Sequence, residues 1–122
     1  MEENVNQDIE FMARIYGTYE VDWLGDPIES IRELTRHHIV KRENGGENGI
    51  SNYALLTPKS HAFVHYLEEN YVKEYEHLNS LFLTLNRSVN PPTSEYYEEV
   101  RKVVKSVRKR IKNKNHGRIR KR

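Results

Sequence analysis

The sequence contains no cysteine. Disulfides, thiolate metal sites and cysteine nucleophiles are therefore excluded, and any metal held by this chain must take histidine or carboxylate donors. Proline and glycine are sparse, at 4 and 6 residues, so each one reads as punctuation rather than as part of a low-complexity tract. No apolar run approaches the roughly 18 residues of a membrane span. The opening MEENVNQDIEF is acidic where a secretory signal is basic and then apolar. The expectation is a soluble, cytoplasmic chain with no signal peptide and no membrane partner. With 122 residues, 36% hydrophobic and 31% charged, it is read as one domain with a modest core.

Acid is missing from one end. Residues 101–122 carry 12 Lys and Arg and no Asp or Glu, whereas residues 1–100 carry 8 Lys and Arg against 18 Asp and Glu. The net charge of +2 thus conceals a body of −10 and a tail of +12. A basic tail on an acidic body implies that a polyanion is met at one end of the molecule.

Residues 1–33 read as an acidic scaffold segment. Phe11, Met12 and Ile15 suit one short helical face ended by Gly17. A Gly-Asp-Pro turn at Gly25, Asp26 and Pro27 precedes a second short helix through Ile28, Ile31 and Leu34. Trp23 is read as a core anchor. Residues 34–40 and 53–57 have strand composition, separated by a loop rich in Gly, Asn and charge. Pro58 suits the first position of a helix, with Thr57 as its N-cap.

A packing helix follows within residues 67–89, with Val72, Tyr75, Leu78, Leu81, Phe82 and Leu85 at helical spacing. Pro91 and Pro92 interrupt the chain. Residues 93–122 begin with Thr93 or Ser94 as cap and place Val100, Val103, Val104, Val107 and Ile111 on one stripe. Beyond Asn113 the sequence reads as disordered. The fold class expected is α+β.

Four of the six histidines lie between residues 37 and 65, as a vicinal pair and an i, i+4 pair. His61 and His65 share a helix face, and a strand carrying His37 and His38 can face them, which makes a three-ligand site with open positions for water and substrate. Adjacent strand residues point to opposite faces, so His37 and His38 converge only where the strand bends or ends.

Residues 33–65, ELTRHHIVKRENGGENGISNYALLTPKSHAFVH, resemble the HNH (ββα-metal) nuclease motif: a His pair on the first strand, a Gly-Gly loop, an Asn opening the second strand and a His-x-x-x-His helix. The His-His start and the TPKxHxxxH ending are most similar to the bacteriocin-type DNases. The stretch covers about a quarter of the chain, and the CxxC zinc pairs of many phage and restriction-type members have no counterpart here.

The resemblance implies a ββα-metal unit over residues 34–66, with His37, His61 and His65 as ligands of one divalent metal ion and His38 as general base. Asn52 would tie the loop to the strands and orient His38 by a hydrogen bond. Imidazole ligands suit Zn, Ni or Mn better than Mg. DNA is the implied substrate. Arg36 and Lys59 are the favoured phosphate contacts beside the histidines, ahead of Lys41 and Arg42. Arg101, Lys105, Arg108, Lys109 and Lys112 would hold the backbone without reading sequence. Two other readings remain open: a non-catalytic nucleic-acid-binding module on the same fold, and a nuclease toxin domain neutralised by an inhibitory protein partner.

Overall fold

Among the described residues two short strands pair antiparallel, and four α-helices complete the fold. A computed structural model describes the backbone of residues 7–120 and the side chains of residues 7–114. In chain order the elements are α1 (Gln7–Tyr16), β1 (Thr35–His38), β2 (Tyr53–Leu56), α2 (Pro58–Asn70), α3 (Val72–Ser88) and α4 (Ser94–Arg120). The fold is α+β, with a single two-stranded sheet among the described residues. Its register pairs Thr35 with Leu56, Arg36 with Leu55, His37 with Ala54 and His38 with Tyr53.

β2 is buried along its whole length, because α3 and α1 both pack against it. One hydrophobic cluster runs from Ile9 on α1 through Trp23, the strands, Phe82 and Leu85 to Val107 on α4. Trp23 is fully buried and its indole Nε1 donates to Thr18 Oγ1 at 3.1 Å, so it is a core anchor.

Several local expectations are corrected. On α1 the buried positions are Ile9, Met12, Ala13 and Tyr16, a clean i, i+3, i+4, i+7 set, while Phe11 is 44% exposed. Tyr16 can face inward because its hydroxyl donates to the carbonyl of Asn86 at 2.5 Å. The helix expected through Ile28, Ile31 and Leu34 is only a 3-10 turn, Ile31–Glu33, capped by Ser30. Val72 is exposed rather than packed. Beyond Asn113 the chain remains helical to Arg120; Lys and Arg are good helix formers, and no proline follows Pro92 to stop the helix. The side chains past Lys114, and residues 1–6, lie outside the described residues.

Asp22 fixes the entry to α2. Its carboxylate is fully buried and accepts four hydrogen bonds: Oδ1 from the Leu24 and Asp26 amides, Oδ2 from the Thr57 amide and the Thr57 hydroxyl, all at 2.9 Å. The Thr57 hydroxyl in turn accepts from the Ser60 amide at 3.2 Å, capping the helix, and Pro58 takes the first helical position. Replacing Asp22 by Ala leaves several buried donors unpaired at about 1–3 kcal/mol each. Asp22→Ala is expected to lower the urea midpoint by the equivalent of roughly 3–5 kcal/mol with an unchanged m-value. A wild-type midpoint would remove Asp22 as the anchor of the hairpin-to-helix junction.

Candidate metal and nuclease site

β1 and α2 bring the two histidine pairs to one cavity. Arg36, His37, His38, Lys41, Arg42, Glu43, His61, His65, Glu68 and Tyr75 line it, and its volume is about 340 Å³. β1 ends at His38, which is why adjacent strand residues both reach the cavity wall.

His37 sits on the inner face of β1, 4% exposed, its ring edge-on to Tyr75, Phe82 and His61. Its Nε2 lies 2.9 Å from Asn79 Oδ1 on α3. A carbonyl oxygen only accepts, so Nε2 carries the proton and Nδ1 keeps its lone pair. Burial pushes its pKa down to about 4, opposed by the Asn79 hydrogen bond and reinforced by His61 and His65. His61 is pushed down as well, first by burial and then by its neighbours His65 and His38. Both rings are therefore held neutral, the state in which imidazole binds a cation.

His61 Nδ1 lies 2.6 Å from the Thr35 hydroxyl. His61 and His65 stack on one face of α2, with ring centres 4.8 Å apart and planes 16° apart. His65 Nδ1 lies 3.5 Å from Glu68 Oε1, one turn along, and Glu68 also pairs with Lys41. That pair holds the Glu68 carboxyl below its ordinary range and raises the Lys41 ammonium.

His38 is half-buried against the Tyr53 ring, 5.2 Å between centres. Its Nε2 is 2.7 Å from Asn48 Oδ1, so Nδ1 is the nitrogen left to act as a base. The partner that orients His38 is thus Asn48, not Asn52. Asn52 does tie the loop to the strands: it accepts from the Val40 amide and donates to the carbonyls of Val40 and Glu47, all at 2.9 Å. All of its side-chain bonds go to backbone, because the loop folds back over the end of β1. Gly46 permits that approach, since a Cβ there would meet the Val40 carbonyl oxygen at 1.8 Å.

The donor chemistry suits a divalent cation: three imidazoles, two of them neutralised by burial. Among the described residues, however, no group of three His, Asp or Glu side chains stands in metal-binding geometry. The stacking of His61 on His65 stands in the way of one. Two rings in nearly parallel planes cannot both aim an in-plane lone pair at one ion about 2.0–2.1 Å away. A turn of one ring about its Cβ–Cγ bond, a broad torsion, is required. His65, with 61% of its side chain exposed, has the room for it.

Of the cations read from the sequence, Arg36 lines the cavity, while Lys59 is exposed on the first turn of α2 and does not. Lys41 and Arg42 also line the cavity. Arg36 lies over the Tyr53 ring at 5.3 Å and pairs with Asp8 at 3.8 Å. Arg101, Lys105, Arg108, Lys109 and Lys112 are exposed on α4 and do not line the cavity. Arg101, Lys105, Arg108 and Lys112 follow helical spacing and form one stripe. Thr35, Asn48, Glu68 and Asn79, which meet the four histidines, escaped the sequence reading. Only Glu68 had a local signal, its i, i+3 spacing from His65. Comparison with family models, curated proteins and solved structures found no match.

The lowered His37 pKa makes metal-free stability depend on pH. An imidazole whose folded value lies below its unfolded value of 6.5 takes up its proton mainly in the unfolded chain. Its contribution is full above 6.5 and is lost as pH falls toward about 4. The difference amounts to on the order of 3 kcal/mol. Urea melts in chelator from pH 7.5 to 4 should show this loss, and His37→Gln should flatten it. An equally steep profile in His37→Gln would place the titrating group elsewhere.

Proposed function

We propose that this chain is a metal-dependent endonuclease of the HNH class that hydrolyses DNA phosphodiester bonds. In this reading His37, His61 and His65 hold one divalent metal ion and His38 is the general base. The observation that carries it is the convergence of the vicinal and i, i+4 histidine pairs on one cavity, built from strand, loop, strand and helix in the order of the motif.

His38 takes a proton from the attacking water on Nδ1, with Asn48 fixing the ring through Nε2. The metal, when bound, stabilises charge that develops on the phosphate and the leaving oxygen. Arg36, Lys41 and Arg42 on the wall of the cavity attract phosphate to a body that is otherwise acidic. Lys41 also neutralises Glu68, whose bare carboxylate would repel the substrate. Arg101, Lys105, Arg108, Lys109 and Lys112, on a helix that packs on α3, hold backbone away from the reacting bond and give affinity without sequence preference.

His38→Ala separates this chemistry from metal binding. Cleavage of duplex DNA should fall about 10²- to 10⁴-fold, the usual contribution of a general base. Metal affinity by calorimetry should stay at the wild-type level, since His38 is no ligand. Wild-type cleavage by His38→Ala would remove it from the mechanism. A loss of metal binding in step with activity would make it a ligand.

A further inference from the structure

Thr35 has a single hydroxyl proton, and that proton is already used. The Thr35 hydroxyl donates to the carbonyl of Leu56, its cross-strand partner, at 2.9 Å. The same oxygen lies 2.6 Å from His61 Nδ1. With its proton committed to Leu56, the oxygen can only accept from His61, so the imidazole must carry its own proton on Nδ1. The contact is partly buried, and burial keeps the His61 ring neutral.

We propose that Thr35 is a positioning residue for His61: its hydroxyl, held by the Leu56 carbonyl, locks the ring in the Nδ1–H tautomer and so leaves the Nε2 lone pair as the donor toward the cavity. The inference rests on the reading of His61 as a metal ligand. Its structural basis is independent of any ion, because the chain Leu56 carbonyl, Thr35 hydroxyl, His61 Nδ1 is made within the protein.

The position demands a hydroxyl, and strand propensity alone does not explain it. Valine has the same shape and an equal preference for β structure, yet could not accept the Nδ1 proton. Without that acceptor, His61 is free to adopt the Nε2–H tautomer that histidine side chains favour in water, which withdraws the donor lone pair. A ligating histidine that loses the partner of its other nitrogen weakens metal affinity about 10- to 100-fold.

The test uses the full-length protein with Thr35→Val and Thr35→Ser. Two-bond ¹H–¹⁵N NMR at pH 7.5 in chelator reads the His61 tautomer, and calorimetric titration with NiCl₂ reads affinity. Wild type and Thr35→Ser should give the Nδ1–H pattern and similar Ni affinity. Thr35→Val should shift His61 toward Nε2–H and weaken Ni binding about 10- to 100-fold. Since the threonine side chain is only half-buried, the valine protein should fold; Thr35→Ala gives the same reading should valine crowd the site.

A folded Thr35→Val protein that keeps the Nδ1–H pattern would overturn the proposal, as would a wild-type protein already in the Nε2–H form. Wild-type protein that shows the Nδ1–H pattern but takes up no Ni would leave Thr35 in its positioning role and count against the metal reading itself.

Discussion

A buried carboxylate with four hydrogen-bond donors around it holds the histidine helix where it is. Asp22 lies 35 residues before Thr57, and its Oδ2 binds both the amide and the hydroxyl of that residue at the junction of β2 and α2. Leaving a charge buried without such partners costs several kcal/mol, so the N-terminal segment and the junction must stay together or the carboxylate is stranded. Three further contacts strengthen the same corner: the Ser60 hydroxyl donates to Asp26 Oδ2 at 2.7 Å, Trp23 N donates to Leu55 O at 3.1 Å, and the Tyr96 hydroxyl donates to Trp23 O at 2.5 Å. The angle at which α2 leaves the hairpin decides where His61 and His65 lie relative to β1.

Around that corner, each histidine is held by a residue from a different element. Asn79 of α3 binds His37, Thr35 of β1 binds His61, Glu68 of α2 meets His65, and Asn48 of the loop binds His38. Side chains anchored at one nitrogen offer the other in a fixed direction, which is what a ligand or a base needs. The loop is itself fastened at two points. Asn52 bridges it to Val40, and Asn86 of α3 donates to the carbonyls of Ile50 and Tyr53 at 2.8 Å.

The histidine spacing, the Thr57-Pro58 helix start and the strand-loop-strand-helix order were legible in the sequence because each is a local pattern. The buried face of α1 was legible only in part: Phe11, Met12 and Ile15 were expected on it, whereas Ile9, Met12, Ala13 and Tyr16 occupy it, and only a partner 70 residues away, the Asn86 carbonyl, explains an inward tyrosine. Asn79 stands beside an apolar stripe, and nothing nearby tells that its amide faces a histidine 42 residues earlier. Three asparagines share the loop, Asn44, Asn48 and Asn52, and composition does not separate the one that binds backbone, Asn52, from the one that binds His38, Asn48. The charge of α4 was plain, whereas its packing on α3, which leaves its basic residues off the cavity lining, is carried by no local signal.

In the proposed reading the four histidines serve metal-dependent hydrolysis of DNA. Supercoiled plasmid incubated with chelator-treated protein, then supplied separately with Mg, Mn, Ni or Zn, tests it most directly. The expected result is no conversion without added metal and nicked or linear product with at least one of the four. Cleavage that persists in excess chelator, or intact plasmid under all four metals, would contradict it.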